Sequence, residues 1–91
     1  MGAKPKYGFT DQAWEDYCYW LMQDKKTMFR INELIKDIER NGNTGIGKPE
    51  PLKNRMKGCW SRRITEKDRL IYAIENGVIT VIRCRGHYDD H

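Results

Sequence analysis

Hydrophobic positions along this chain follow two different periods. Trp14, Tyr17, Cys18 and Leu21 are spaced i, i+3, i+4, i+7, and Met28, Ile31, Ile35 and Ile38 repeat at three- and four-residue steps. That spacing predicts two amphipathic helices, each turning its named residues toward a core. Thr10 or Asp11 offers an N-cap for the first helix, Asp24 caps the second, and Asn41-Gly42 supplies its C-terminal stop. The short link between them predicts an antiparallel helix pair.

Beyond residue 58 the period changes to two. Residues 60–64 and 69–74 alternate, and Asn76-Gly77 marks a two-residue hairpin turn leading into a strand over 78–84. Residues 6–10 predict a further short strand. Between helices and strands, residues 43–58 carry Gly45, Gly47, Pro49 and Pro51, which predict a loop free of regular structure. The expected fold is α+β, with two N-terminal helices packed on an antiparallel sheet. With 91 residues the chain has room for one core, so residues 1–91 are read as one domain.

Charge sharpens this picture. The chain has 17 Lys and Arg against 13 Asp and Glu, and a net charge of +4. The positive excess lies in the second half, where the stretch from Lys48 to Arg85 is predominantly basic. Such a surface suits a polyanion, and equally suits simple solubility. Cys18, Cys59 and Cys84 are odd in number and never form a Cys-x-x-Cys pair, which argues against a disulfide framework or a thiolate metal site and for a reducing, cytoplasmic setting. Neither a signal peptide nor an apolar stretch of membrane-spanning length is visible.

The polar groups that carry candidate chemistry are Glu50 between two prolines, Arg63, Arg69, and the Arg85-Gly86-His87-Tyr88 run. Metal-free RNA cleavage requires help in removing the 2′-hydroxyl proton, stabilisation of the phosphorane and a proton for the departing 5′-oxygen. A carboxylate, guanidiniums and a histidine form that minimal kit. Taken singly, each has an ordinary explanation: Glu50 as a loop acid, Arg69 as a salt-bridge partner, His87 as a solvated tail residue and Tyr88 as an edge aromatic. Cys84, His87, Asp90 and His91 have ligand-like spacing, but no second paired ligand set accompanies them, so no metal and no cofactor is expected.

Several segments together resemble the YoeB toxins of the RelE superfamily. They are Trp14-Glu15-Asp16-Tyr17, Ile31-Asn32-Glu33-Leu34-Ile35-Lys36-Asp37, Gly47-Lys48-Pro49-Glu50-Pro51-Leu52-Lys53, Trp60-Ser61-Arg62-Arg63-Ile64, Arg69-Leu70-Ile71-Tyr72 and Cys84-Arg85-Gly86-His87-Tyr88. The resemblance spans residues 6–88. It implies a RelE-like, microbial-ribonuclease-like fold and cleavage of messenger RNA in the ribosomal A site. Carried over by motif, it implies Glu50 as general base, His87 as general acid, Arg69 as phosphorane stabiliser and Tyr88 as an orienting partner, with Lys53, Arg63 and Arg62 holding phosphate. It further implies a YefM/Phd-type antitoxin whose disordered segment folds on the toxin, and a homodimer. The family pattern stops at the His-Tyr pair, so Asp89, Asp90 and His91, like residues 1–5, are read as extensions. A basic module that blocks the ribosome by occupancy, without cutting, shares the same charge pattern.

Overall fold

A computed structural model describes residues 6–87. Its elements run β1 (Tyr7–Phe9), α1 (Asp11–Gln23), α2 (Lys25–Asn41), β2 (Glu50–Pro51), a 3-10 turn (Asn54–Met56), β3 (Trp60–Arg63), β4 (Arg69–Glu75) and β5 (Val78–Arg83). The sheet order is β1-β5-β4-β3-β2. β2 to β5 pair antiparallel, while β1 runs parallel to β5, so the sheet is mixed. The parallel pair joins the first and last strands, with both helices and the strands β2 to β4 between them along the chain.

The helix caps form as the sequence predicts. The Thr10 hydroxyl accepts from the Ala13 amide at 3.1 Å, and Gly42 ends α2 with a positive φ of 66°. Asp24 serves both helices. Its amide donates to the Trp20 carbonyl, closing α1, while its carboxylate accepts from the Lys26 amide and the Thr27 hydroxyl, opening α2. The Thr27 bond holds the Asp24 carboxyl below its ordinary range. Asn76 and Gly77 both take positive φ, the geometry of a type I′ hairpin turn.

Ile31, Leu34, Ile35 and Ile38 of α2 pack with Leu70, Tyr72, Ile79 and Val81 into one core on the helix side of the sheet. The face expected for α1 is not the one that is buried. Trp14 and Leu21 are exposed, and the helix instead turns Ala13 and Asp16 inward, with Tyr17 and Trp20 partly packed. A small residue lets α1 approach β5 closely, and Asp16 tolerates burial because its carboxylate accepts from the Cys84 amide at 3.0 Å and from Gln12 at 2.9 Å.

The Gly/Pro segment holds two short regular elements, β2 and the 3-10 turn, where its composition predicts none. Glu50 and Pro51 form a two-residue edge strand on β3, a place where proline's missing N–H costs no ladder bond. No helix among the described residues is long and apolar enough to cross a membrane.

Candidate active site

Residues directly opposite one another in a sheet share a face, so the register maps the side of the sheet turned away from the helices. Glu50 pairs with Ser61, Ser61 with Ile71, and Ile71 with Arg83, forming one row across four strands. One step along, Arg63 pairs with Arg69. This face therefore carries a carboxylate at one edge, two opposed arginines beside it and a third arginine on β5.

Glu50 owes its place to a built approach. Gly47 takes φ 80° and its carbonyl accepts from the Arg63 amide at 2.7 Å. Lys48 follows with φ 54°, a left-handed conformation that costs a residue bearing a Cβ about 1–2 kcal/mol. Pro49 and Pro51 then fix the backbone on either side of the exposed Glu50. Lys53 is exposed just after β2.

Arg62 is not on this face. Its side chain is fully buried on the helix side, and all five of its N–H donors are taken. Nε donates to the Tyr72 hydroxyl, Nη1 to Asp37 at 2.5 Å and to the Ile46 carbonyl, and Nη2 to the carbonyls of Gly42 and Thr44. The expectation that Arg62 binds RNA is thereby corrected: its guanidinium ties residues 42–46 to β3. Asp37 also accepts from Asn41 and the Ile46 amide, and the Arg62 guanidinium, first among these partners, holds its carboxyl below the usual range. Burial raises the Tyr72 phenol. The parity was visible in the sequence, since Trp60 and Ile64, both apolar, share Arg62's face and Arg63 takes the other.

Arg69 stands at the start of β4, with Nη1 donating to the carbonyls of Thr65, Glu66 and Asp68. Its amide donates to the Gly86 carbonyl at 3.0 Å, and the Gly86 amide donates to Asp68 Oδ1 at 2.8 Å. This double tie brings the segment carrying the exposed His87 beside Arg69. Tyr88 lies outside the described residues.

The stem of that segment is held by α1 residues that have no part in the chemistry implied by the motifs. Cys84 is clamped by α1: its amide donates to Asp16, its carbonyl accepts from Trp20 Nε1 at 2.8 Å, and its thiol lies 3.5 Å from the Ala13 carbonyl. Burial, with Asp16 nearby, pushes the thiol up to about 12. A thiol so enclosed is removed from the ligand-like spacing of Cys84 with His87, Asp90 and His91; the last two lie outside the described residues. Arg85 stacks on Tyr19, its guanidinium carbon 3.5 Å from the ring centroid. Spacing offers no signal for Asp16, Trp20 or Tyr19, because their partners are more than 60 residues away.

The arrangement gathers an exposed carboxylate and an arginine pair on one side of a small sheet, with the backbone leading to His87 tied to Arg69 and Asp68 at Gly86. Like charges placed directly across a ladder repel, so the Arg63–Arg69 pairing favours an anion between them.

The family described as "YoeB-like toxin of bacterial type II toxin-antitoxin system" matches residues 9–88. The chain is 49% identical over 80 residues to Toxin YoeB of Escherichia coli K12, covering 88% of this chain and 95% of that protein. Among solved structures, the YoeB/ParE toxin from Agrobacterium tumefaciens superposes with a TM-score of 0.89 at 42% identity, covering 91% of this chain and 99% of that one. Staphylococcus aureus YoeB, solved as a heterotetrameric complex with YefM and also as a dimer, gives a TM-score of 0.86 at 46% identity, covering 94% of this chain and all of that one.

Proposed function

Because the chain belongs to the YoeB-like toxin family of bacterial type II toxin–antitoxin systems, we propose that it is a metal-independent endoribonuclease that cuts messenger RNA in the ribosomal A site. The observation that carries this reading is the Arg63–Arg69 pair, opposed on the helix-free face with Glu50 in the adjoining row and the His87 segment tied to Arg69.

In this mechanism Glu50 takes the proton from the 2′-hydroxyl, whose oxygen attacks the adjacent phosphorus. Arg69 stabilises the charge that builds on the phosphorane, and Arg63 and Lys53 hold phosphate. His87 donates a proton to the departing 5′-oxygen, leaving a 2′,3′-cyclic phosphate, and Tyr88 orients the donor or substrate. Each proton transfer contributes on the order of 10²–10⁴ in rate. In this reading the ribosome's hold on the messenger supplies the positioning that a domain of this size lacks.

The same reading gives the chain a YefM/Phd-type antitoxin, whose acidic and apolar segment complements the basic face. It also gives a homodimer, as the S. aureus relative forms, and work in the cytoplasm, where translating ribosomes are found.

The test is toeprinting of a translating messenger, with sequenced RNA ends, for the wild type beside Glu50→Ala and His87→Ala. Cuts inside the A-site codon that vanish in both variants are expected. Equal stalling by all three proteins without cuts would replace cleavage by occupancy.

A further inference from the structure

The arginines around the site differ in how far the fold has already used them. Arg62 has every donor committed, and Arg69 has Nη1 committed to the 65–68 turn. Arg83 is half-buried on β5, and no hydrogen bond or ion pair holds its guanidinium among the described residues. It is also the one arginine of the helix-free face that no family motif in the sequence singles out.

Its position is set by a break in the ladder. Tyr72 pairs with Val81 and Ile71 pairs with Arg83, so the β4–β5 register shifts between them and Ile82 has no partner of its own. This bulge keeps Val81 in the core and turns Arg83 to the same face as Ile71. Without the extra residue, the alternation that buries Val81 would place position 83 on the core side. Bulges re-aim side chains, and this one turns a cation toward the face that bears Glu50.

Arg83 is the diagonal neighbour of Arg69, about 7–8 Å away between backbones. It stands at the opposite end of the row from Glu50, roughly 14–15 Å across three strand spacings. Arg83 is therefore too far from Glu50 to share the scissile phosphate, and close enough to Arg69 to meet the next one along the strand. Among the described residues, Glu75 lies at the hairpin end of β4, and both carboxylate oxygens of Asp68 already accept bonds from Gly86 and Thr65.

The geometry points to Arg83 as a subsite for the phosphodiester adjoining the scissile one, on RNA that crosses the sheet from Glu50 toward β5. This assignment rests on the ribonuclease reading, and it adds a contact that positions RNA without touching the reacting atoms. It predicts a loss in binding with chemistry preserved.

The experiment compares wild type, Arg83→Ala, Arg83→Lys and Glu50→Ala on programmed ribosomes. One messenger is cleavable and another carries a 2′-O-methyl A-site codon that lacks the nucleophile. Arg83→Ala should raise KM, and weaken binding to the blocked messenger, roughly tenfold, the loss of one charge-assisted contact, with kcat within about twofold. Its log–log salt slope should fall by about 0.7, one phosphate on a single strand. Arg83→Lys should recover most of the binding. Unchanged KM and salt slope for Arg83→Ala, in a series where Glu50→Ala has lost cleavage, would overturn the subsite and leave the ribonuclease reading intact. So would an Arg83→Ala effect confined to antitoxin affinity. Absence of cutting by wild type, with binding that still drops in Arg83→Ala, would overturn the enzyme and keep the phosphate contact.

Discussion

Arg69 and Gly86 are joined main chain to main chain, the amide of one donating to the carbonyl of the other at 3.0 Å. The bond extends the pairing pattern of β4 past the end of β5 and makes the approach to His87 an annex of the sheet. Asp68, the neighbour of Arg69, completes the attachment by accepting from the Gly86 amide. The residues proposed to stabilise the phosphorane and to protonate the leaving group are thus connected through two hydrogen bonds rather than through a long loop.

That connection can be cut without touching either side chain. Asp68→Ala removes the bonds to the Gly86 amide and the Thr65 hydroxyl. Misplacement of His87 should lower the single-turnover cleavage rate about 10- to 100-fold. Stability should fall by only about 1–2 kcal/mol, read from urea midpoints. An unchanged rate would mean that the Arg69–Gly86 bond alone holds the segment.

Arg62→Met should be far more damaging to the fold. It leaves Asp37 without its cation and three carbonyls without donors, and breaking such a buried pair costs about 3–5 kcal/mol. Chemical denaturation of the purified variant checks this. A loss under about 1 kcal/mol would show that water replaces the guanidinium at little cost.

Asp37 also imposes a pH dependence. Arg62 lowers its carboxyl in the folded state from the ordinary value of 3.8. The stabilisation is complete above that value and is lost as pH falls through the lower folded-state pKa. Wild type should therefore lose stability in the acid range below pH 3.8, and Asp37→Asn should show a shallower acid slope alongside its lower plateau. Parallel slopes in pH-dependent denaturation would assign the acid sensitivity elsewhere.

Gly47→Ala tests the approach to Glu50. A Cβ there would lie 2.8 Å from the Leu34 side chain and 3.2 Å from Arg62 Cβ, at a φ of 80°. Strain and crowding together should cost about 1–3 kcal/mol. Cleavage should fall further than Gly42→Ala causes, because Gly42 has open space around its Cβ position. Thermal melts and cleavage rates for the two variants decide it.

Thiol chemistry should separate the three cysteines. Cys84 is fully buried and its thiol is pushed up to about 12, whereas Cys18 and Cys59 are partly exposed. At pH 8, maleimide should label the native protein at Cys18 and Cys59 well before Cys84, and label all three in urea. Peptide mass spectrometry reads the order. Because the folded state favours the neutral thiol, Cys84 also contributes stability below pH 9 that declines as the pH rises toward 12.

Much of the frame was legible in the sequence because it rests on local signals. Thr10, Asp24 and Gly42 cap where their chemistry says they should, and Asn76-Gly77 turns where only left-handed residues fit. Ile31, Ile35 and Ile38 bury because no other face of α2 is apolar. α1 misled because its large apolar residues outline one face while its packing demands another. The buried side is made by Ala13, by an aspartate satisfied from 68 residues away and by a tryptophan bonded to Cys84. β2 was hidden by its prolines, which forbid a central strand but allow two residues at an edge. The motif residues Glu50, Arg63 and Arg69 come to one face as alternation implies. Arg62 does not, and the Arg83 bulge has no sequence signal, since a shifted register depends on both strands.

The buried Arg62 also determines which of several near-equivalent pairings β3 can adopt. Hydrophobic alternation rejects a slip of one residue, because Trp60 and Ile64 would swing into solvent. A slip of two passes that check, since it keeps every side chain on its own face. It would put Trp60 or Ile64 into the socket lined by Asp37 and the carbonyls of Gly42, Thr44 and Ile46, leaving one charge and three acceptors bare. The guanidinium thus acts as a key that excludes even-numbered misalignments, while the apolar pattern excludes odd ones. Proofread in both ways, the strand can offer Ser61, and no other residue, as the partner of Glu50.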